Sequence, residues 1–218
     1  MRLILLRHGE THANVSGALD TASPGEHLTD LGRAQATAAA EVLRRRPPGA
    51  IFTSPLARTR ETAAPLVADG GATPTVLEGL REIRAGDYEM HTDPESRKAY
   101  IHVVACWILG DLDVRMPGGE DGHEFVRRYG EAITTVVAGA ADPTVVVSHG
   151  AAIRTWAGRQ VGDSLSQEAA TQTLRNTGAI ELDGDPDQGW RIVAWHNHPL
   201  GGIQLEDPAA VDPTGRAE

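Results

Sequence analysis

The chain has 218 residues, and its composition, 40% hydrophobic and 23% charged, suits one globular α/β domain. Its net charge of −10, with no basic stripe beyond Arg44-Arg45-Arg46, argues against nucleic-acid binding. Lys98 is the only lysine and stands in neither a glycine-rich loop nor a buried run, which excludes Walker A and Schiff-base chemistry.

In chain order, the first half alternates between strand-like and helix-like spacing of its apolar residues. This spacing predicts strands over residues 2–6, 50–52 and 75–77. It also predicts two helices, one from the N-cap Thr29 to Pro47-Pro48 and one from Ser54-Pro55 to Gly70-Gly71.

The second half begins with an irregular, partly helical insertion over residues 83–119, which we expect to form a cap. The pattern then predicts a helix over about 120–137, a strand over 144–147, a helix from 151 to about 161, and a hairpin of strands over 178–182 and 190–195. Residues 206–218 are rich in Asp, Pro and Ala and are expected to form a loose C-terminal tail. The alternation predicts a three-layer α/β/α sandwich with a mostly parallel central sheet, as a single domain over residues 1–205.

Polar residues follow four of the predicted strands, at the point where each strand ends. They are Arg7-His8-Gly9-Glu10-Thr11 with Asn14 behind it, the segment from Ser54 to Thr62, Leu80-Arg81-Glu82, and Ser148-His149-Gly150. Because parallel strands end at one edge of a sheet, we expect two histidines, at least two arginines and a carboxylate to converge there. Arginine forks match phosphate oxygens, a neutral imidazole can attack phosphorus, and a carboxylic acid can protonate a departing alkoxide.

Three of these segments, over residues 7–11, 54–62 and 148–150, resemble motifs of the histidine phosphatase superfamily, the phosphoglycerate-mutase-like group, and the resemblance covers residues 2–182. The resemblance also rests on Leu28-Thr29-x-x-Gly32-x-x-Gln35-Ala36 and on Pro117-Gly118-Gly119-Glu120. Five motifs in order, each at a predicted strand end or helix start, are specific evidence. The resemblance implies a phosphoglycerate-mutase-like fold and a phosphomonoesterase that works through a phosphohistidine.

The resemblance also implies roles for seven residues. His8 would be the nucleophile, and Glu82 would be the proton donor to the leaving group and then the base that activates water. The phosphoryl group would be bound by Arg7, Asn14, Arg58, His149 and Gly150. Arg7, Arg58 and His149 would also stabilise charge in the transition state. Since these groups supply the positive charge, no metal ion and no cofactor are implied.

The chain departs from the family's pattern at two points. The Gly-x-x-Glu-Gly segment that often follows the acid reads Gly86-Asp87-Tyr88-Glu89-Met90, which leaves the local backbone geometry open. The insertion with which true mutases bind phosphoglycerate has only a superficial echo in Arg127-Arg128-Tyr129. A phosphatase is therefore favoured over a 2,3-bisphosphoglycerate-dependent phosphoglycerate mutase.

Other interpretations stay open. Arg58 could pair with Glu61 one helical turn away, and Glu78 and Glu89 compete with Glu82 as the acid. Asp111-x-Asp113 mimics the aspartyl-phosphate motif of Mg²⁺-dependent haloacid-dehalogenase-type phosphatases, although no lysine follows it. A non-catalytic relative that binds phosphorylated ligands or protein partners is a further alternative.

The apolar stretch over residues 3–6 is too short for a secretory signal, and no run reaches the length of a membrane span. We therefore expect a cytoplasmic protein that binds neither membranes nor nucleic acid. Its expected partner is a small phosphorylated metabolite, whose identity the residues do not give. A homodimer is compatible with the sequence.

Overall fold

A computed structural model describes residues 1–67, 73–139, 142–160 and 171–215. The strands are β1 (Arg2–Arg7), β2 (Ala50–Thr53), β3 (Thr75–Val76), β4 (Thr144–Ser148), β5 (Ala179–Asp185) and β6 (Gly189–His196). The helices are α1 (His12–Ser16), α2 (Asp30–Leu43), α3 (Ala57–Val67), α4 (Pro94–Leu109), α5 (Gly122–Ala138) and α6 (Gly150–Arg159). No helix in these described ranges is long and apolar enough to cross a membrane.

The strands form one sheet in the order β3-β2-β4-β1-β5-β6. Strands β1 to β4 are parallel. Strand β5 runs antiparallel to its two neighbours, β1 and β6, and β5 and β6 form the predicted hairpin. The register pairs Arg7 with Ser148 and Thr53 with Val147, so β1, β2 and β4 end side by side. Their carboxyl ends therefore share one edge of the sheet, where α/β folds build their sites.

Alternate residues of the strands face two helical layers, as the period of a strand requires. Leu3 and Leu5 of β1 pack in one core cluster with residues of α4, α5 and α6. Ile4 and Leu6 pack in a second cluster with residues of α2 and α3. This arrangement confirms the predicted three-layer α/β/α sandwich with a mostly parallel sheet.

The insertion over residues 83–119 contains a regular helix, α4. This helix starts after Asp93, whose side chain accepts the Ser96 N–H, and has Pro94 in its first turn. The predicted helix ends at Gly70-Gly71 and near Val161 lie outside the described residues.

The expectation of a loose tail from residue 206 is wrong for residues 206–215. Asp212 is 1% exposed and Thr214 is 7% exposed. The Asp212 N–H donates to the Asn14 carbonyl at 2.9 Å, and the Leu174 N–H donates to the Gly215 carbonyl at 2.8 Å. These contacts pack the segment against the body of the protein; residues 216–218 lie outside the described ranges.

Candidate active site

The carboxyl ends of the parallel strands border a small pocket. Its lining includes His8, Asn14, Asp20, Arg58, Glu82 and Thr214. His149, after β4, lies against His8 with ring centroids 5.3 Å apart. The structure thus places four residues that the sequence analysis singled out around one pocket, although they are far apart in the sequence: His8, Asn14, Arg58 and Glu82.

Motif side chains hold the loop that follows β1. Gln35 Oε1 accepts the Glu10 N–H at 2.8 Å, and Thr62 Oγ1 accepts the Gly9 N–H at 2.9 Å. A Cβ on Gly9 would lie 2.5 Å from the Gly32 carbonyl oxygen, so only glycine permits this approach of the loop to α2. These contacts fix the backbone that carries the candidate nucleophile.

His8 offers an unprotonated ring nitrogen to the pocket. Its Nδ1–H donates to the Gly9 carbonyl oxygen at 2.7 Å, and its Nε2 accepts the Arg58 Nε–H at 3.1 Å. Burial, followed by the positive charges of Arg58 and Arg7, lowers the pKa of the His8 ring well below its usual value of 6.5. The neutral tautomer with its lone pair on Nε2 is therefore the resting form.

Arg58 joins His8 to an acidic partner that no motif predicted. Its Nη1 donates to the Asp20 carboxylate at 3.1 Å, and its Nη2 donates to the Asp20 backbone carbonyl at 2.9 Å. The alternative pairing with Glu61 does not form, because the Glu61 carboxylate contacts His27 and the Leu28 N–H. Arg58 is consequently held against His8 rather than along its own helix.

Arg7 is completely buried and uses four of its five N–H groups. Nη1 donates to the Leu174 carbonyl and to the Asp212 carboxylate, each at 2.7 Å. Nη2 donates to the other Asp212 oxygen and to Thr214 Oγ1. The fifth donor, Nε–H, is buried and has no partner among the described residues.

Asn14 lies between these groups. Its Nδ2 donates to Asp212 Oδ1 at 3.3 Å, and its Oδ1 accepts the Thr11 N–H at 3.0 Å and the Asn176 amide at 3.1 Å. With Oδ1 occupied, the amide presents its NH₂ side to the pocket. This is the orientation that a phosphate ligand requires.

Glu82 reaches the pocket beside the N-terminus of α6. Its carboxylate accepts N–H groups from Ile83, Ala151 and Ala152 at 2.9, 3.2 and 2.8 Å. Burial raises the pKa of Glu82 above 4.5, against these hydrogen bonds, which lower it. The protonated form therefore persists to higher pH than in an ordinary glutamic acid, as a proton donor requires.

His149 and Gly150 follow β4, with the His149 ring against that of His8. His149 Nε2 lies 2.8 Å from Ser54 Oγ, and burial, with the charge of Arg58, lowers the pKa of the His149 ring. Its Nδ1 is buried and has no partner in the described part of the chain. A Cβ on Gly150 would lie 3.0 Å from Arg7 Nε, so glycine lets this donor approach the helix start. Arg7 Nε–H and His149 Nδ1 are therefore buried polar groups near the pocket residue His8 that the described part of the chain leaves for a ligand.

A larger cavity of about 340 Å³ adjoins Glu82, and its lining includes Arg81 and Arg84. Burial, and then the charge of Arg84 and that of Arg128, lowers the pKa of Arg81. Within the described ranges the Arg84 guanidinium forms no ion pair, whereas Arg81 contacts the exposed Glu78 at 3.4 Å. The mouth of the cavity therefore carries positive charge.

The opposite wall of the cavity is built by Glu89. Its carboxylate accepts the N–H groups of Thr21 and Ala22 at 2.8 and 2.9 Å, so it supports the wall instead of competing with Glu82. The next residue, Met90, has φ of 60°, a left-handed conformation that favours glycine. The departure from Gly-x-x-Glu-Gly thus leaves a glycine-like backbone in place.

Sequence reasoning missed three charged residues of this region, namely Asp20, Arg154 and Asp212. Arg154 on α6 is 2% exposed, and burial, with the nearby charge of Arg7, lowers its pKa to about 10. None of the three belongs to a motif quoted above. By contrast, Asp111 and Asp113 are exposed between α4 and α5, and Asp113 contacts His123 at 3.1 Å.

Comparisons with known proteins agree on one family. The family model of the histidine phosphatase superfamily (branch 1) matches residues 3–198. The chain is 36% identical to PE-PGRS family protein PE_PGRS11 of Mycobacterium tuberculosis over 95% of its own length, but it spans only 38% of that relative. It is 32% identical to the glucosyl-3-phosphoglycerate phosphatase of Mycolicibacterium vanbaalenii, covering 89% of this chain and 94% of that protein. Among solved structures, a mycobacterial glucosyl-3-phosphoglycerate phosphatase complexed with VO3 matches with a TM-score of 0.75 and 29% identity, covering 90% of this chain and 99% of that one.

Proposed function

Because the chain belongs to the histidine phosphatase superfamily (branch 1), we propose that it hydrolyses small phosphate monoesters through a phosphohistidine on His8. One observation carries the proposal: the neutral, buried Nε2 of His8 accepts a hydrogen bond from Arg58 in a pocket that also contains Glu82. A nucleophilic lone pair, a guanidinium for phosphate oxygens and a protonated carboxyl are the parts that phosphoryl transfer to nitrogen needs.

In the first step, His8 Nε2 attacks the phosphorus atom as the bond from phosphorus to the ester oxygen breaks. Glu82 gives its proton to that oxygen, so the leaving group departs as a neutral alcohol. Arg58 donates to the phosphoryl oxygens in place of Nε2, and Arg7 Nε–H and the Asn14 amide add further donors. The phosphorylated His8 remains.

In the second step, the Glu82 carboxylate takes a proton from a water molecule whose oxygen attacks the phosphorus. The bond from phosphorus to Nε2 breaks, inorganic phosphate forms, and His8 returns to its neutral state. Guanidinium groups supply the positive charge in both steps, so the proposed mechanism includes no metal ion.

The charge beside Glu82 supports a substrate whose alcohol part carries a second negative group. Arg81 and Arg84 line the cavity that a leaving group would occupy, and Arg84 has no ion-pair partner in the described ranges. A phosphoglycerate ester, whose carboxylate lies near the phosphate, fits this distribution. The name of the relative glucosyl-3-phosphoglycerate phosphatase supports the same class of substrate.

Replacing the nucleophile tests the proposal. His8→Ala is expected to lower turnover by at least about 10³-fold, because no other group in the pocket can form the intermediate. His102→Ala, on the exposed face of α4, is the matched control and should behave like the wild type. Retained turnover in a clean His8→Ala preparation, or activity that requires Mg²⁺ and stops in EDTA, would overturn the proposal.

A panel of substrates tests whether the protein prefers phosphoglycerate esters. Phosphoglycerates are expected to have a higher kcat/KM than sugar phosphates with an uncharged alcohol part, because only the former engage the two arginines. Assays with and without 2,3-bisphosphoglycerate separate hydrolysis from isomerisation. Isomerisation of 3-phosphoglycerate on priming would favour a mutase instead.

A further inference from the structure

We propose that Asp212 is a positioning residue: it orients Arg7 so that the Nε–H, the one N–H of this side chain without a partner in the described part of the chain, serves the phosphoryl group. This inference rests on the proposed function and assigns to the C-terminal segment a part in phosphate binding. It also names the carboxylate, 205 positions away in the sequence, on which Arg7 depends.

The contact between the two side chains is bidentate and buried. Both Asp212 oxygens accept from Arg7, one from Nη1 at 2.7 Å and the other from Nη2. The Arg7 side chain is 0% exposed and that of Asp212 is 2% exposed. A planar fork held at both ends by one carboxylate cannot rotate, so the direction of the Nε–H is fixed as well.

The remaining contacts of Arg7 leave one direction open. Leu174 and Thr214 take the second hydrogen of each terminal nitrogen, which accounts for four of the five donors. Nε, the fifth, lies against the first residue of α6, where a Cβ on Gly150 would come within 3.0 Å of it. The N-terminus of a helix is where an oxyanion binds best, so the unpartnered donor stands where a phosphate oxygen is expected.

Asp212 also orients a second phosphate-binding candidate. Its Oδ1 accepts the Asn14 Nδ2–H at 3.3 Å, while its own N–H donates to the Asn14 carbonyl at 2.9 Å. One carboxylate therefore holds two candidate phosphate donors, Arg7 and Asn14.

The same contact could instead oppose binding, because a carboxylate neutralises Arg7 and could compete with phosphate for it. The two roles predict opposite signs. If Asp212 positions Arg7, its removal weakens the binding of a phosphate analogue. If Asp212 competes with phosphate, its removal strengthens that binding.

The test measures inhibition by vanadate and by inorganic phosphate, with kcat and KM, in the full-length protein. Asp212→Asn, which keeps the shape but not the charge, is expected to raise both inhibition constants at least tenfold and to lower kcat/KM to a similar extent. The pH dependence of kcat/KM should keep its shape, because His8 and Glu82 are unchanged. Asp207→Asn is the matched control, since it removes the same charge from the same segment without a contact to Arg7.

Unchanged or tighter vanadate binding in folded Asp212→Asn overturns the inference. Asp212→Glu, which keeps the carboxylate but displaces it from the Arg7 fork, decides the matter if Asp212→Asn does not fold: weaker vanadate binding supports the inference, and unchanged or tighter binding overturns it. Failure of the proposed function would appear differently. His8→Ala would then retain turnover, whether or not Asp212 is also replaced.

Discussion

The two arginines that we propose bind the phosphoryl group are held in different ways. Arg58 has a partner 38 positions away, Asp20, and its Nε–H donates to Nε2 of His8. Arg7 has a partner from the far end of the chain, Asp212, and within the described ranges it forms no hydrogen bond to the His8 ring. From this difference we propose that Arg58 contacts the reacting atoms directly, and that Arg7 binds a phosphoryl oxygen from within its pair with Asp212.

The surroundings of the two carboxylates sharpen this difference. Asp20 lines the pocket and still accepts the Glu26 N–H at 2.8 Å, so it would keep a partner without Arg58. Among the described residues, Asp212 would retain only Asn14 as a side-chain partner. Loss of Arg7 should therefore disturb the fold more, and loss of Arg58 should disturb the chemistry more.

The largest expected effect is on the free energy of unfolding. Arg7→Ala should lower the free energy of unfolding by about 3–5 kcal/mol, because it leaves a buried carboxylate without its charge partner. Urea unfolding, followed for Arg7→Ala, Arg58→Ala and the double variant Arg7→Met/Asp212→Leu, measures this. Arg58→Ala and the double variant should each lose less than Arg7→Ala, and equal losses for the two alanine variants would remove the distinction.

Catalysis should respond most to Arg58. Arg58→Ala is expected to lower kcat/KM about 10²- to 10³-fold, the usual effect of removing a donor that stabilises transition-state charge. Arg60→Ala, an exposed arginine two positions along α3, provides the control. Steady-state kinetics on one phosphate monoester decides it, and a loss no larger than that of Arg60→Ala would contradict the assignment.

The pH dependence of kcat/KM tests the role of Glu82, whose carboxyl group accepts hydrogen bonds from backbone N–H groups. The first step needs neutral His8 and protonated Glu82, and with ordinary pKa values of 6.5 and 4.5 that combination would be a minor species. Burial lowers the pKa of His8 and raises that of Glu82, and both shifts enlarge the population. The profile of kcat/KM should be bell-shaped and centred on the acidic side of neutrality.

The falling alkaline limb of this profile belongs to Glu82. Glu82→Gln should therefore flatten that limb while the acid limb, set by His8, stays in place. The variant should also lose more activity toward alkyl phosphates, whose alkoxides need a proton, than toward aryl phosphates. An alkaline limb that survives in Glu82→Gln would assign it to another group.

The smallest expected effect concerns Met90, which contacts the residue before Asp20, the partner of Arg58. The Met90 N–H donates to the Leu19 carbonyl at 3.1 Å, next to Asp20, from a left-handed backbone conformation. Met90→Gly should raise the free energy of unfolding by up to about 1 kcal/mol, because glycine adopts this conformation without the clash of a Cβ. Met90→Ala keeps the Cβ and should give no such gain in thermal or urea unfolding.

The contrast between Arg58 and Arg7 also shows which parts of the fold and of the site could be predicted from the sequence. The alternation of apolar patterns predicted the layers and the mostly parallel sheet, because strand and helix periods are local properties. His8, Arg58, Glu82 and His149 could be located because each follows a predicted strand, and the structure places them together while their roles stay predictions. Asp212 could not be located, because a lone aspartate in an Asp/Pro/Ala-rich segment gives no local sign of a partner 205 positions away.

The central claim, a phosphate carried by His8, can be measured directly. The wild-type protein is mixed with a substrate labelled in its phosphate, quenched in alkali within milliseconds, and the label on the protein is mapped and tested for stability. A phosphohistidine predicts a label that acid removes and alkali spares, found on the peptide that contains His8 and absent from His8→Ala. A label that acid spares, or one that His8→Ala still acquires, would contradict the account.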